Sequence, residues 1–67
     1  MRALVNGNPI ELADATTVEL LVERMTGSPE PRGVAVARNG AVLSRTAWSM
    51  PVEDGDRIEI VKAVQGG

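Results

Sequence analysis

The sequence predicts an α+β fold, with one amphipathic helix laid across a mixed sheet of four or five strands. Three observations lead there. Two Asn-Gly pairs, Asn6-Gly7 and Asn39-Gly40, each separate short apolar runs. A stretch with helical spacing, Val18 to Met25, lies between them. A last alternating run opens at Arg57. A chain of 67 residues holds one domain, and this order of elements favours two layers, a helix on a sheet face.

Each element has a local cause. Met1 to Val5 is mostly apolar and ends at Asn6-Gly7, a pair that tolerates the positive φ of a tight hairpin. Pro9-Ile10-Glu11-Leu12 reads as the returning strand, with Pro9 at its start marking a strand entry or an edge. Thr16-Thr17-Val18-Glu19 reads as a capping box, with the Thr16 hydroxyl accepting from Glu19. Val18, Leu21, Val22 and Met25 then fall on one helix face, leaving Glu19, Glu23 and Arg24 to water. Gly27 suits the left-handed residue that closes a helix, and Pro29 and Pro31 keep the chain out of one.

Val34 to Arg38 is small and branched and reads as a strand buried on both faces. Asn39-Gly40 turns it into a partner at Ala41-Val42-Leu43, and Arg45 to Met50 reads as irregular. Glu53-Asp54-Gly55-Asp56 is an acidic turn. Arg57 to Ile60 alternates, and Val61 to Val64 extends that strand towards Gln65-Gly66-Gly67. A single domain over 1–67, with residues 63–67 as a flexible tail, is the expected organisation.

Composition removes many functions. There is no cysteine and no histidine, and Lys62 is the lone lysine. Disulfides, thiolate metal sites and the commonest general base are therefore absent. Ser28, Ser44 and Ser49 have no histidine to activate them. No Gly-Lys-Ser/Thr phosphate loop occurs. The net charge of −2 and the single aromatic, Trp48, argue against nucleic acid. No apolar run approaches the ~20 residues that cross a bilayer, and the start is too short for a signal peptide. A cytoplasmic protein that is not an enzyme, binding no metal or cofactor, is expected. Glu53, Asp54, Asp56 and Glu59 could hold a cation or supply acid and base. They read first as turn chemistry and a solvated strand face.

What remains is the chain end. Glycine has no Cβ, so Gly66-Gly67 can thread a narrow site. Extended, the five residues from Ala63 would reach roughly 16–18 Å. A free α-carboxylate is ionised at neutral pH and is a poor electrophile. Activation by ATP to an acyl adenylate would let it accept a nitrogen, oxygen or sulfur nucleophile. The chain supplies no catalytic group for this, in keeping with its composition.

Val34-Ala35-Val36-Ala37-Arg38-Asn39-Gly40, then Arg45 and Trp48, then Asp54 to Val61, then Ala63-Val64-Gln65-Gly66-Gly67, resemble the ThiS family. These are the ubiquitin-like sulfur carriers of thiamin biosynthesis, and the resemblance covers essentially the whole chain. It implies a β-grasp fold. It implies that a ThiF-type adenylyltransferase spends MgATP on the Gly67 carboxylate, which becomes a thiocarboxylate. The sulfur would come from cysteine through a desulfurase persulfide. A ThiG-type thiazole synthase would receive it. Gly67 would be the acceptor, with Gly66 and Gln65 as its tail. Ser44 stands where members often carry a proline.

Other residues admit two readings. Trp48 reads as packing before recognition. Arg45 reads as solvated or salt-bridged before partner contact. Val61, Ala63 and Val64 divide evenly between core and an exposed docking strip. Three other functions stand beside the thiamin carrier: a molybdopterin synthase small subunit, a protein modifier conjugated to lysines, and an interaction module with an inert tail. The first of these tends to carry prolines before Gly-Gly, which Ala63-Val64-Gln65 lacks.

Overall fold

The structure, a computed structural model, describes residues 1–28 and 32–62. Its elements run β1 (Arg2–Val5), β2 (Asn8–Glu11), α1 (Val18–Thr26), β3 (Val34–Arg38), β4 (Ala41–Val42), a 3-10 helix (Arg45–Ser49) and β5 (Arg57–Lys62). The five strands form one sheet in the order β2-β1-β5-β3-β4. The central pair, β1 with β5, is parallel, and every other pair is antiparallel. The expected element order and turns are therefore present, and the sheet is mixed with five strands. This is the β-grasp arrangement.

Both Asn-Gly turns place their residues at positive φ, 50° for Asn6 and 82° for Gly7 in the first. That backbone is the one a two-residue hairpin needs. Pro9 lies in β2 opposite Leu4, on an edge strand where its missing N–H costs little. Gly27 closes α1 at φ 77°, its N–H donating to the Glu23 carbonyl.

The core is built from one face of the sheet and one face of α1. Ala3, Val5, Val36 and Ile58 of the sheet meet Val18, Leu21 and Val22 of the helix, with Leu12, Trp48 and Val52 closing the sides. Burying side chains of this size stabilises by about 1.5–3 kcal/mol each for a Val, Leu or Ile.

Four local readings need correction. The helix cap is Thr17, whose hydroxyl accepts the Leu20 N–H at 3.1 Å. Thr16 instead donates to the Ala13 carbonyl at 2.7 Å, so the cap lies one residue later than a Thr16–Glu19 box. Met25 falls in the last turn of α1 and is exposed, so the apolar face stops at Val22. In β3 only Val36 is buried. Helix α1 covers one side of the sheet and no described element covers the other, so Ala35 meets solvent. Residues 45–49 are not irregular but a 3-10 helix, closed by Ala47 N–H to the Ser44 carbonyl and Met50 N–H to the Ala47 carbonyl. Its Trp48 is buried in the core, which holds the short helix against α1.

Ser44 caps that helix at φ −67° and ψ 155°. Proline fixes φ near this value, and the Ser44 N–H meets no acceptor among the described residues. We expect Ser44→Pro to raise stability by about 0.4–1 kcal/mol, through the unfolded chain's lost freedom. Urea denaturation read from Trp48 fluorescence checks this, and a drop in stability would refute it.

Candidate functional site

Strand β5 carries the chain towards its C-terminus, and its hold on the sheet sets the site. On one side it pairs with β3 from Arg38 opposite Ile58 to Val34 opposite Lys62. On the other it pairs with β1 only at Leu4–Arg57 and Val5–Ile58. Two asparagines, the first residues of the two Asn-Gly turns, reach β5 at separate points. The Asn39 side chain accepts the Arg57 N–H at 2.9 Å and donates to Asp56 Oδ1 at 3.0 Å. The Asn6 side chain accepts the Ile60 N–H at 2.8 Å and donates to the Ile60 carbonyl at 3.3 Å.

Asp56 anchors the start of β5. Its carboxylate is buried and accepts from the Glu53 N–H at 2.8 Å, from Asn39, and from Arg38 Nη2 at 2.8 Å. Arg38 also lies 3.6 Å from Glu53 Oε2. Burial pushes the Asp56 carboxyl up, but the Glu53 N–H, the Asn39 amide and the Arg38 guanidinium outweigh it. The net shift is below the ordinary value of 3.8. Asp54 is occupied too, accepting the Arg2 N–H at 2.8 Å. Glu59 is exposed on β5. The acidic segment is thus a built turn that ties β5 to β1 and β3. Sequence reading missed Arg38 and Asn39 as its partners, and Asn6 as a second hold on β5. Asparagine in both turns was accounted for by its positive φ, although its short carboxamide can also donate and accept.

The sheet face turned away from α1 is open. Val61 is 61% exposed, Val42 79% and Leu4 40%. Ala35 stands opposite Val61, and Ala37 opposite Val42. Beside them Leu4, Asn6, Gly7, Arg57, Ile58 and Glu59 line a shallow depression of about 400 Å³. Of the proposed docking strip, Val61 is therefore on the surface. Ala63, Val64, Gln65, Gly66 and Gly67 lie outside the described residues. Arg45 is elsewhere, in the 3-10 helix, its guanidinium 4.2 Å from the centre of the Trp48 ring. It makes no ion pair among the described residues. The Trp48 Nε1 is buried and meets no acceptor among them, so the indole packs and offers a partner no polar handle.

The fold and this site define a class: a β-grasp domain whose fifth strand, held at two points by side chains from other turns, precedes a Gly-Gly pair in sequence. The ThiS family model matches residues 3–67, and the chain belongs to that family. The crystal structure of the thiamine biosynthesis protein ThiS from Geobacter metallireducens is similar over the whole of both chains, with 33% identity and a TM-score of 0.79. A solution NMR structure of a thiamine biosynthesis protein from the same organism gives 32% identity and a TM-score of 0.76, covering all of this chain and 88% of that one. Two proteins named thiazole synthase also match all of this chain. One, from Magnetococcus marinus, is 38% identical, and one, from Paramagnetospirillum magneticum, is 32% identical. This chain spans only 20% of the length of each.

Proposed function

We propose that this chain is a sulfur carrier for thiamin thiazole formation, working through the carboxylate of Gly67. The observation that carries the reading is the family match, which runs unbroken to the terminal glycine. The carboxylate oxygen attacks the α-phosphate of MgATP on a ThiF-type adenylyltransferase, and pyrophosphate leaves. The acyl adenylate that results is a good electrophile with AMP as leaving group. Sulfide expels AMP and leaves a thiocarboxylate directly. A persulfide from a cysteine desulfurase gives an acyl disulfide first, and a thiol must then cleave it. This chain has no cysteine, so that thiol belongs to a partner. The carrier itself contributes an end and a surface, with the chemistry done by partners in the cytoplasm.

Thiazole synthase as the receiving enzyme is supported by the two relatives of that name, in which a segment similar to this chain makes up a fifth of the protein. Incubation with a ThiF-type adenylyltransferase, MgATP and sulfide, followed by intact mass spectrometry, tests the reading. A mass gain equal to one oxygen replaced by sulfur is expected. No gain, with an enzyme shown active on another carrier, would refute it.

The open sheet face is the surface we assign to docking. Val61 is well exposed there, so a charge costs the fold little, within about 0.5 kcal/mol. A charge desolvated in an apolar interface costs far more. Val61→Asp should therefore weaken binding to the adenylyltransferase at least ten-fold, or about 1.4 kcal/mol. Titration calorimetry with unchanged affinity would remove Val61 from the interface.

A further inference from the structure

We propose that the outer edge of β4 pairs with the same edge of a second copy of this chain, antiparallel about Val42, to give a weak two-fold dimer. The sheet has two edges, β2 and β4, and they are built differently. In β2 the Leu12 N–H donates to the Met1 carbonyl at 2.8 Å, so Leu12 faces β1. Main-chain groups alternate along an antiparallel strand, which turns Pro9 and Glu11 outward. Pro9 has no N–H to offer. The Glu11 carbonyl already accepts Arg24 Nη1 at 3.4 Å. Only the Pro9 carbonyl and the Glu11 N–H are left there, and the proline ring interrupts the row.

The β4 edge has the opposite character. The Leu43 N–H donates to the Val36 carbonyl at 2.8 Å, so Leu43 faces β3 and both main-chain groups of Val42 face away. The Ser44 N–H follows on that same side and meets no acceptor among the described residues. Although β4 itself is two residues long, the backbone stays extended at Ser44, with φ −67° and ψ 155°. Gly40 to Ser44 contains no charge and no proline, both of which blunt an edge. The Val42 side chain stands beside these groups, 79% exposed. Such a row of unpaired groups is a template for another strand.

A second copy is the strand that fits. Val42 turns both a donor and an acceptor outward, so a two-fold axis beside it pairs Val42 with Val42 of the second copy by two hydrogen bonds. Ser44 then falls opposite Gly40 of the second copy, twice over. The two Val42 side chains meet on one face. This strip sets no like charges opposite each other, although each copy carries a net charge of −2. Pairing uses up both β4 edges and leaves the two β2 edges, which Pro9 and Arg24 guard. Association therefore stops at two copies. A contact of about five residues a side lies well below the ~1,000 Å² of a stable interface, so the dissociation constant should fall at about 0.1–1 mM.

Sedimentation equilibrium and amide exchange on the full chain, from about 0.05 to 2 mM, test this. The apparent mass should rise from 7.1 kDa towards twice that value, and the Val42 amide should exchange more slowly as concentration rises. Val42→Lys sets two cations opposite each other and should abolish the association. Ser44→Pro removes a donor from each copy and should weaken it at least about ten-fold. Folded fraction read from Trp48 fluorescence separates a lost contact from a lost fold. Leu20→Lys, on an exposed position of α1, is the control and should leave the association unchanged. A chain that stays monomeric over the whole range would overturn the proposal. So would a dimer that survives both β4 variants, one lost in Leu20→Lys instead, or growth past two copies. None of these outcomes touches the carrier reading above, which needs no second copy.

Discussion

A chain lacking Gly67 will fold like the full chain and will gain no sulfur. The second half of that result follows from where the electrophile lies. In the proposed carrier reading it is the main-chain carboxylate of one residue, so no neighbouring side chain can replace it. Removal of Gly67 moves the carboxylate back by one residue, about 3.3–3.6 Å. A misplacement far smaller than this already abolishes most enzyme rate. Residues added after Gly67 convert the carboxylate to an amide and should be equally inactive. The first half follows from the core, whose buried residues, among those described, fall between Ala3 and Ile58. The unfolding free energy should change by no more than about 0.5 kcal/mol. Intact mass after incubation with enzyme, MgATP and sulfide reads one half, and urea midpoints read the other. Sulfur gain by the shortened chain would end the proposal that Gly67 is the acceptor.

The largest loss of stability should come from Asp56→Ala. The substitution leaves the Arg38 guanidinium, only 16% exposed, without its 2.8 Å partner. It also strands the Glu53 N–H and the Asn39 amide that the carboxylate accepts. Breaking a buried ion pair by removing one member costs about 3–5 kcal/mol. A domain of this size has about 3–10 kcal/mol in all. The variant should therefore be largely unfolded or have lost at least about a third of its urea midpoint. A loss below about 1 kcal/mol would show the pair behaving as a surface bridge. The same group gives a pH dependence of known sign. The folded carboxyl is held below 3.8, so the folded state binds fewer protons than the unfolded. Its contribution is complete above that value and disappears as pH falls from 3.8 towards the folded value. Asp56→Asn should flatten that part of the acid unfolding curve.

Much of this architecture was legible because its causes are local. Asn-Gly needs positive φ, Gly27 ends a helix, and the spacing of Val18, Leu21 and Val22 fixes a face. The misreadings have physical reasons. In β3 the outward positions are Ala35 and Ala37, so an open face looked as apolar as a covered one. Thr16 and Thr17 are both plausible caps in sequence, and only the backbone shows which carbonyl and amide each reaches. The Gly67 reading lies outside the described residues, and the support of β5 was not legible. Asn6 meets Ile60 across 54 residues and Asn39 meets Asp56 across 17. No local pattern encodes such meetings. Asparagine in a turn is explained by φ alone, and that sufficient explanation hid a second use.

The strand order carries a last consequence, for how the chain is made. β5 lies between β1 and β3. Until it is synthesised, the sheet consists of two unconnected hairpins, β1–β2 and β3–β4. Isolated hairpins are marginal in water, and a pairing between the first and last strands closes slowly because the loop it joins is long. A ribosome working through this message therefore holds an unfolded chain until β5 has emerged. A product cut short before Ile58 lacks a core residue and the middle of its sheet, and cellular proteases will meet it as an unfolded chain. Folding in this way inspects whether β5 has been made, rejecting chains that stopped before it ahead of any partner.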